Sequence, residues 1–369
     1  IQMIKISKRA QAIEMSGIRK FFQAAKPGSI NMTLGQPDFV TPDHIRSAAV
    51  KAIEEGKTGY TFNAGLPELR EALSDKFKNE NNLNYTPDEI IVTAGAGEGL
   101  FIAIQSLVET GDRVLLTDPG FVSYEACIQF AGGKPDFVPL TKDLHIQEEV
   151  LYEKLDGARL LILNSPSNPT GVVESKETIR SITEAAMDAG VTVLSDEVYE
   201  HIIYDAVHAS AGTFGDDVIT VNAASKTYAM TGWRLGYIAG PPEYMEQCLK
   251  VHQYCQTCAT SISQYAGVAA YTGDQSCVKM MRDEYKARRD ILFSGFHDMG
   301  LDFPEPQGAF YAFVPLGKER TQKIMDAGVI IVPGDAFGPS GAEYARFSYA
   351  TSRDNIKAAI ERMRPVLEV

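Results

Sequence analysis

From about Thr86 to Gly240 the chain alternates short apolar runs with amphipathic stretches. The runs read EIIVTA, RVLLTD, KPDFVPL, RLLILN, VTVLSD, VITVN and GYIAG, and their length and sharp bounds predict buried strands. Between them apolar positions fall at helical spacing: Ile179, Ile182, Ala186 and Ala189 share one helix face. Runs that are apolar on both faces and alternate with helices predict an α/β domain, a mostly parallel central sheet covered by helices on both sides. Upstream, LPELREALSDKFKNEN predicts a helix with Pro67 in its first turn. Beyond about Tyr285 a charged helical stretch, MRDEYKARRDILFSGFHDMG, leads to AFYAFV, VIIV and ARFSYA, then to a last helix striped by Ile356, Ile360, Met363 and Leu367. These elements predict a smaller α+β domain. The division expected is a large domain over 41–284 and a small one made of 1–40 together with 285–369.

Composition changes this picture little and charge narrows it. The 369 residues are 44% hydrophobic and 22% charged, an ordinary globular balance with room for about two domains. A formal net charge of −13, with no Lys/Arg-rich run, repels a phosphate backbone and excludes nucleic acid as the expected partner. The N-terminus IQMIKISKRAQAIEMSG lacks the apolar core of a signal peptide, and no stretch has the length to span a bilayer. A soluble, cytoplasmic protein is expected. The odd cysteine count fits free thiols in a reducing compartment. Cys255 and Cys258 form a CxxC with His252 three residues ahead, but no other cysteine or histidine stands at ligand spacing. The expectation is thiols on the buried side of a helix and no metal.

Ligands of parallel sheets gather at the carboxyl ends of the strands, and four stretches lie there. TAGAGEGLFIAIQSL runs from a strand through a glycine turn into a helix, an anion site by its exposed N–H groups. Leu100 breaks the GxGxxG fingerprint, although Asp118 at the next strand end keeps a dinucleotide reading open beside plain turn glycines. In NSPSNPTG, Pro166 and Pro169 either hold the Asn168 amide in one orientation or make a tight turn. In LSDEVYE, Asp196 closes a strand with Tyr199 three residues on; both can face one ligand, or Asp196 can cap a helix. In NAASKTYAMTGWRLG, Lys226 sits just past a strand end, where a desolvated amine loses proton affinity and gains nucleophilicity toward an aldehyde. Arg234 offers a fork for phosphate. An aldehyde for Lys226, a phosphate for the turn and Arg234, a ring nitrogen for Asp196 and a phenolic oxygen for Asn168 and Tyr199 describe one molecule, pyridoxal phosphate.

These motifs, with LGQPDF, GYTFNAGLPELREA, DPGFVSYEA, PQGAFYAF, VPGDAFG and ARFSYAT in order along nearly the whole chain, resemble the class I aminotransferases. Those are fold type I pyridoxal-phosphate enzymes, and the likeness is greatest to archaeal and thermophilic aspartate and aromatic members. The resemblance implies that Lys226 holds the cofactor, Asp196 meets its ring nitrogen, Tyr199 and Asn168 its ring oxygen, and Phe121 its ring face. It gives the phosphate to Ala96, Gly97, Ser225 and Arg234, and to Tyr60 reaching across from a neighbouring subunit, which implies a homodimer with shared sites. It gives the substrate α-carboxylate to Arg346, with Gly35 and Asn168 beside it. Ala223 stands where many members carry a phosphate-binding hydroxyl. The activity implied is ping-pong transfer of an amino group from an L-amino acid, aspartate first, to 2-oxoglutarate. An aromatic or broad-range aminotransferase is the alternative, with a lyase of the same fold behind it. The turn GAGEG offers no lysine to a second carboxylate, and Arg19 is a candidate by position alone. The related regulators carry a DNA-binding domain ahead of this fold; here the pattern begins within the first few dozen residues, which leaves such a domain no expected place.

Overall fold

A computed structural model of the chain describes residues 5–15, 17, 21 and 27–367. All seven apolar runs are strands: β2 Ile90–Thr93, β3 Arg113–Asp118, β4 Lys134–Pro139, β5 Ala158–Asn164, β6 Thr192–Asp196, β7 Val218–Ala223 and β8 Gly236–Ala239, the first strand, β1, being Ile30–Asn31. They form one sheet in the order β2-β8-β7-β6-β5-β3-β4. Only β8 runs against its neighbours; the other pairings are parallel. β4 is an edge strand, which is where Pro135 and Pro139, lacking an N–H, are tolerated. Strands β6, β7 and β8 and the edge strand β2 are buried throughout, because helices such as Ala96–Leu107 and Lys176–Asp188 cover the sheet faces.

Topology creates the crevice. Parallel strands β5, β6 and β7 end side by side at Asn164, Asp196 and Ala223, and the antiparallel β8 begins at that same edge, with Gly236 opposite Ala223 and Thr93. Arg234, two residues before β8, is thereby delivered to the edge where Lys226 and Asp196 stand.

The smaller part contains an antiparallel sheet in the order β11-β12-β9, of Val332–Pro333, Ala345–Ser348 and Tyr311–Val314, and β1 paired in parallel with β10, Val329–Ile330. The run VIIV is thus not one strand: at Ile331 it passes from one sheet to the other. Its core joins Ile30 and Met32 to aromatic and aliphatic residues between Met281 and Leu367, and packs on Ala223 at the end of β7 and on Tyr199 in the turn after β6. The charged helix runs unbroken from Ser276 to Asp298, across the expected 284/285 division.

Two helical expectations shift. Ala189 is the exposed C-cap of Lys176–Asp188 rather than part of its buried face. Pro67 does begin its helix, which closes through a π-turn at Phe77–Asn81 with Asn82 left-handed. The expected burial of the CxxC is wrong: Cys255 is the exposed last residue of the helix Pro242–Cys255 and Cys258 is half-buried in the turn beyond, whereas Cys127 and Cys248 are the buried thiols. The helix ends before its apolar face can carry Cys255 inward. Among the described residues no helix is long and apolar enough to cross a membrane.

Candidate active site

A cavity of about 470 Å³ opens at the carboxyl edge of the sheet. It is lined by Gly35, Ala96, Gly97, Phe121, Asn168, Asp196, Tyr199, Ser225, Lys226, Arg234 and Arg346, which gathers every candidate of the four strand-end stretches together with the distant Arg346. Ala223 lines it as well. Tyr60 does not: it is 87% exposed in a loop elsewhere on this chain. Arg19 lies outside the described residues.

Lys226 follows β7 in a short helical turn, Ala224–Thr227, that feeds it into the cavity. Its ammonium donates to the Gly35 carbonyl and faces the rings of Tyr199 and Phe310, each 5.7 Å away. Burial, then the guanidinium groups of Arg346 and Arg234, bring its pKa down to about 8, with Asp196 pulling the other way. A side chain on Gly35 would meet the Tyr311 hydroxyl at 2.5 Å, so only glycine lets this wall close on the lysine.

Asp196 ends β6 and is buried. No helix follows it, which removes the capping role; the chain instead turns through residues 198–201 and presents Tyr199 to the same cavity. Burial raises the Asp196 carboxyl to about 6, opposed by the Tyr124 hydroxyl donating at 2.7 Å and by the Val198 N–H at 3.3 Å. Tyr199 shares a 2.7 Å hydrogen bond with the Tyr311 hydroxyl. Burial and its Tyr311 neighbour hold the Tyr199 phenol well above its ordinary value.

Arg346, on β12, is 1% exposed. It donates at 2.9 Å to Asn168 Oδ1 and at 2.7 Å to the Thr33 carbonyl, and it lies over the rings of Tyr311 and Phe337. Its Nε has no partner, and no described carboxylate pairs with it. Burial pushes the guanidinium below its usual value, with only Tyr311 and Tyr199 pulling up. A buried cation without a counter-ion is a preformed anion receptor, because the desolvation cost is recovered only when an anion arrives. Arg346 also fixes Asn168: the oxygen of its amide is taken, so its N–H₂ is the end left to donate.

At the glycine turn the helix Ala96–Leu107 starts with N–H groups that have no intrahelical partner. Arg234, left-handed at φ 52°, spans from the Thr231 carbonyl at 3.1 Å to the Ala94 carbonyl at 3.2 Å. Gly95 has φ +80°, and a Cβ there would strike Arg234 Nη2 at 2.4 Å, so the turn is shaped around the arginine. Asp118, the residue that kept a dinucleotide reading open, is committed elsewhere: its carboxylate accepts from the Ser340 hydroxyl at 2.7 Å and the Ser340 N–H at 3.1 Å.

Sequence reading missed Tyr124 and Tyr311. Tyr124 lies three residues after Phe121 at a helix start, spacing that places both on one face, and was legible to that extent; Tyr311 carried no local signal.

A sheet of this order, holding a lysine between two arginines and above a buried acid at its carboxyl edge, defines a fold type I transferase. The chain belongs to the family described as aminotransferase class I and II, whose model matches residues 27–363. It is 44% identical to a probable aspartate aminotransferase of Methanocaldococcus jannaschii, over 98% of this chain and 100% of that protein. It is 37% identical to aromatic-amino-acid aminotransferase 2 of Thermococcus litoralis, over 98% of each. The solved aspartate aminotransferase of Thermus thermophilus with maleate superposes with a TM-score of 0.95 at 36% identity, over 99% of this chain and 100% of that one.

Proposed function

We propose that this aminotransferase moves the amino group of an L-amino acid, aspartate first, to 2-oxoglutarate through bound pyridoxal phosphate. The observation that carries the reading is Arg346, a buried guanidinium with no counter-ion on the wall of the cavity that also holds Lys226. The donor set fits the cofactor: an amine for the aldehyde, N–H groups and Arg234 for the phosphate, and a buried acid for the ring nitrogen. When bound, the cofactor supplies a sink for the electron pair released as the donor's Cα–H bond breaks.

The residues supply the rest. Lys226 Nζ, lowered to about 8, has an unprotonated fraction near neutral pH; it would hold the cofactor at its aldehyde, and as a free amine it is placed to accept the donor's Cα proton. Asp196 holds a proton at the ring nitrogen, and that cation gives the buried carboxylate the opposite charge it lacks. Tyr199 Oη and the free N–H₂ of Asn168 donate to the ring oxygen, and Phe121 covers the ring. Ala96, Gly97, Ser225 and Arg234 hold the phosphate, with the Ser225 hydroxyl standing in for the one Ala223 cannot offer. Arg346 grips the α-carboxylate beside Gly35 and so orients the Cα–H bond.

The protein acts as a homodimer in which Tyr60 completes the partner's phosphate site. Tyr60 and Phe62, 87% and 69% exposed in one loop, support a surface made for another chain. Residues 41–284 and 1–40 with 285–369 act as the two domains, and reduced thiols fit the cytoplasm.

An aromatic or broad-range donor is the second reading. Lys226, Arg234 and Arg346 are the only cations lining the cavity among the described residues, leaving none for a second carboxylate, while Leu34, Leu100 and Phe121 offer apolar contact. Absorbance decides. The band of the bound cofactor should fall when aspartate is added and return with 2-oxoglutarate. A band that ignores aspartate but answers tyrosine moves the assignment to the second reading, and no band after adding pyridoxal phosphate overturns both.

A further inference from the structure

Two residues have no part in the function so far: Glu98, which falls in the glycine turn, and His252, noticed in the sequence ahead of the cysteine pair. They meet. His252, on the helix Pro242–Cys255, has a side chain with 0% exposure, and Glu98 only 7%. His252 Nδ1 lies 2.7 Å from Glu98 Oε1 and Nε2 lies 2.9 Å from the Asn63 carbonyl. Each ring nitrogen therefore has one hydrogen-bond partner, Glu98 on one side and the Asn63 carbonyl on the other, and the ring is held between them.

The pair reaches two parts of the proposed phosphate site. Glu98 Oε2 accepts the N–H of Ala94, whose carbonyl accepts from Arg234 Nη2 at 3.2 Å. The Ala94 peptide is gripped on both sides just before the turn that presents the Ala96 and Gly97 N–H groups. At the other end, Asn63 belongs to the loop carrying Tyr60, and its amide donates to the Thr257 carbonyl at 2.6 Å. The same loop is held by Ser261 donating to the Gly59 carbonyl at 2.6 Å.

We propose that Glu98 and His252 are positioning residues for the cofactor phosphate, a buried hydrogen-bonded pair that holds the glycine turn in register with the loop carrying Tyr60. This rests on the pyridoxal-phosphate reading above. Neither residue lines the cavity, so neither touches the ligand. The physical case is one of geometry: Glu98 Oε2 fixes the Ala94 N–H only while its carboxyl group is held in place, and the contact of Oε1 with His252, itself anchored on the Asn63 carbonyl, holds it there.

The test compares uptake of pyridoxal phosphate with uptake of pyridoxal, which lacks the phosphate, by cofactor-stripped protein, read by absorbance. His252→Gln and Glu98→Ala should each weaken pyridoxal phosphate about tenfold more than pyridoxal, the worth of one charge-assisted hydrogen bond. Glu98→Gln, which keeps an acceptor for Ala94, should restore most of that selectivity. Equal weakening of both aldehydes, or no change in either, would overturn the inference, since a purely structural loss does not distinguish them. If His252→Gln is insoluble, the Glu98→Ala and Glu98→Gln pair decides alone. A parent protein that takes up neither aldehyde refutes the functional reading instead.

Discussion

Replacing Arg346 by leucine separates anion recognition from folding. In the protein the guanidinium spends two N–H groups on Asn168 Oδ1 and the Thr33 carbonyl, and has its Nε unpartnered beside the cavity. A hydrogen bond to a charged group is worth about 1.5–3 kcal/mol, so losing a two-pronged clamp on the substrate carboxylate should remove about 3–5 kcal/mol of transition-state binding, roughly 10²- to 10⁴-fold in kcat/KM. Stability should move far less. Orphaning two acceptors costs about 1–3 kcal/mol each, while removing an unpaired buried cation returns several kcal/mol of desolvation. The terms nearly cancel, and the melting temperature should stay within about 4 °C. The assay is the single-turnover reaction of cofactor-loaded protein with an amino acid and with the matching amine that lacks the α-carboxylate. The parent should favour the amino acid by about the same 10²- to 10⁴-fold factor and the variant should not. A variant that still discriminates, or that unfolds while its remaining folded fraction reacts normally, refutes the assignment of Arg346 as the carboxylate receptor.

Further outcomes follow from the pKa directions. Capture of pyridoxal phosphate by Lys226 should quicken as pH rises and level off above about 8, because the neutral amine reacts and its pKa is lowered to about 8; Arg346→Leu removes a repelling cation, so the midpoint should move upward, and a midpoint that moves down would contradict the electrostatics. Tyr124→Phe removes the donor that stabilises ionised Asp196 and should lower kcat about tenfold with little change in donor KM, one charge-assisted hydrogen bond being at stake; unchanged kcat would show that Tyr124 does not matter to the carboxylate.

Much of this protein was determined by local sequence. Apolar runs such as RLLILN and VITVN read as buried strands because residues covered on both faces need no polar alternation, and Asp196 and Lys226 announced themselves by standing at and just past strand ends. The breaks in VIIV and at Ala189 escaped because hydropathy reports burial without saying which neighbour covers a residue or where a helix stops. Tertiary structure alone decided the pairings: Arg346 with Asn168, Tyr199 with Tyr311, Tyr124 with Asp196 and His252 with Glu98 join residues 72 to 178 positions apart. It also decided that β8 runs backward, which carries Arg234 to the edge where Lys226 waits. Periodicity fixes which face of an element is buried, whereas a partner is fixed by strand order and packing over the whole chain, and no window of sequence contains either.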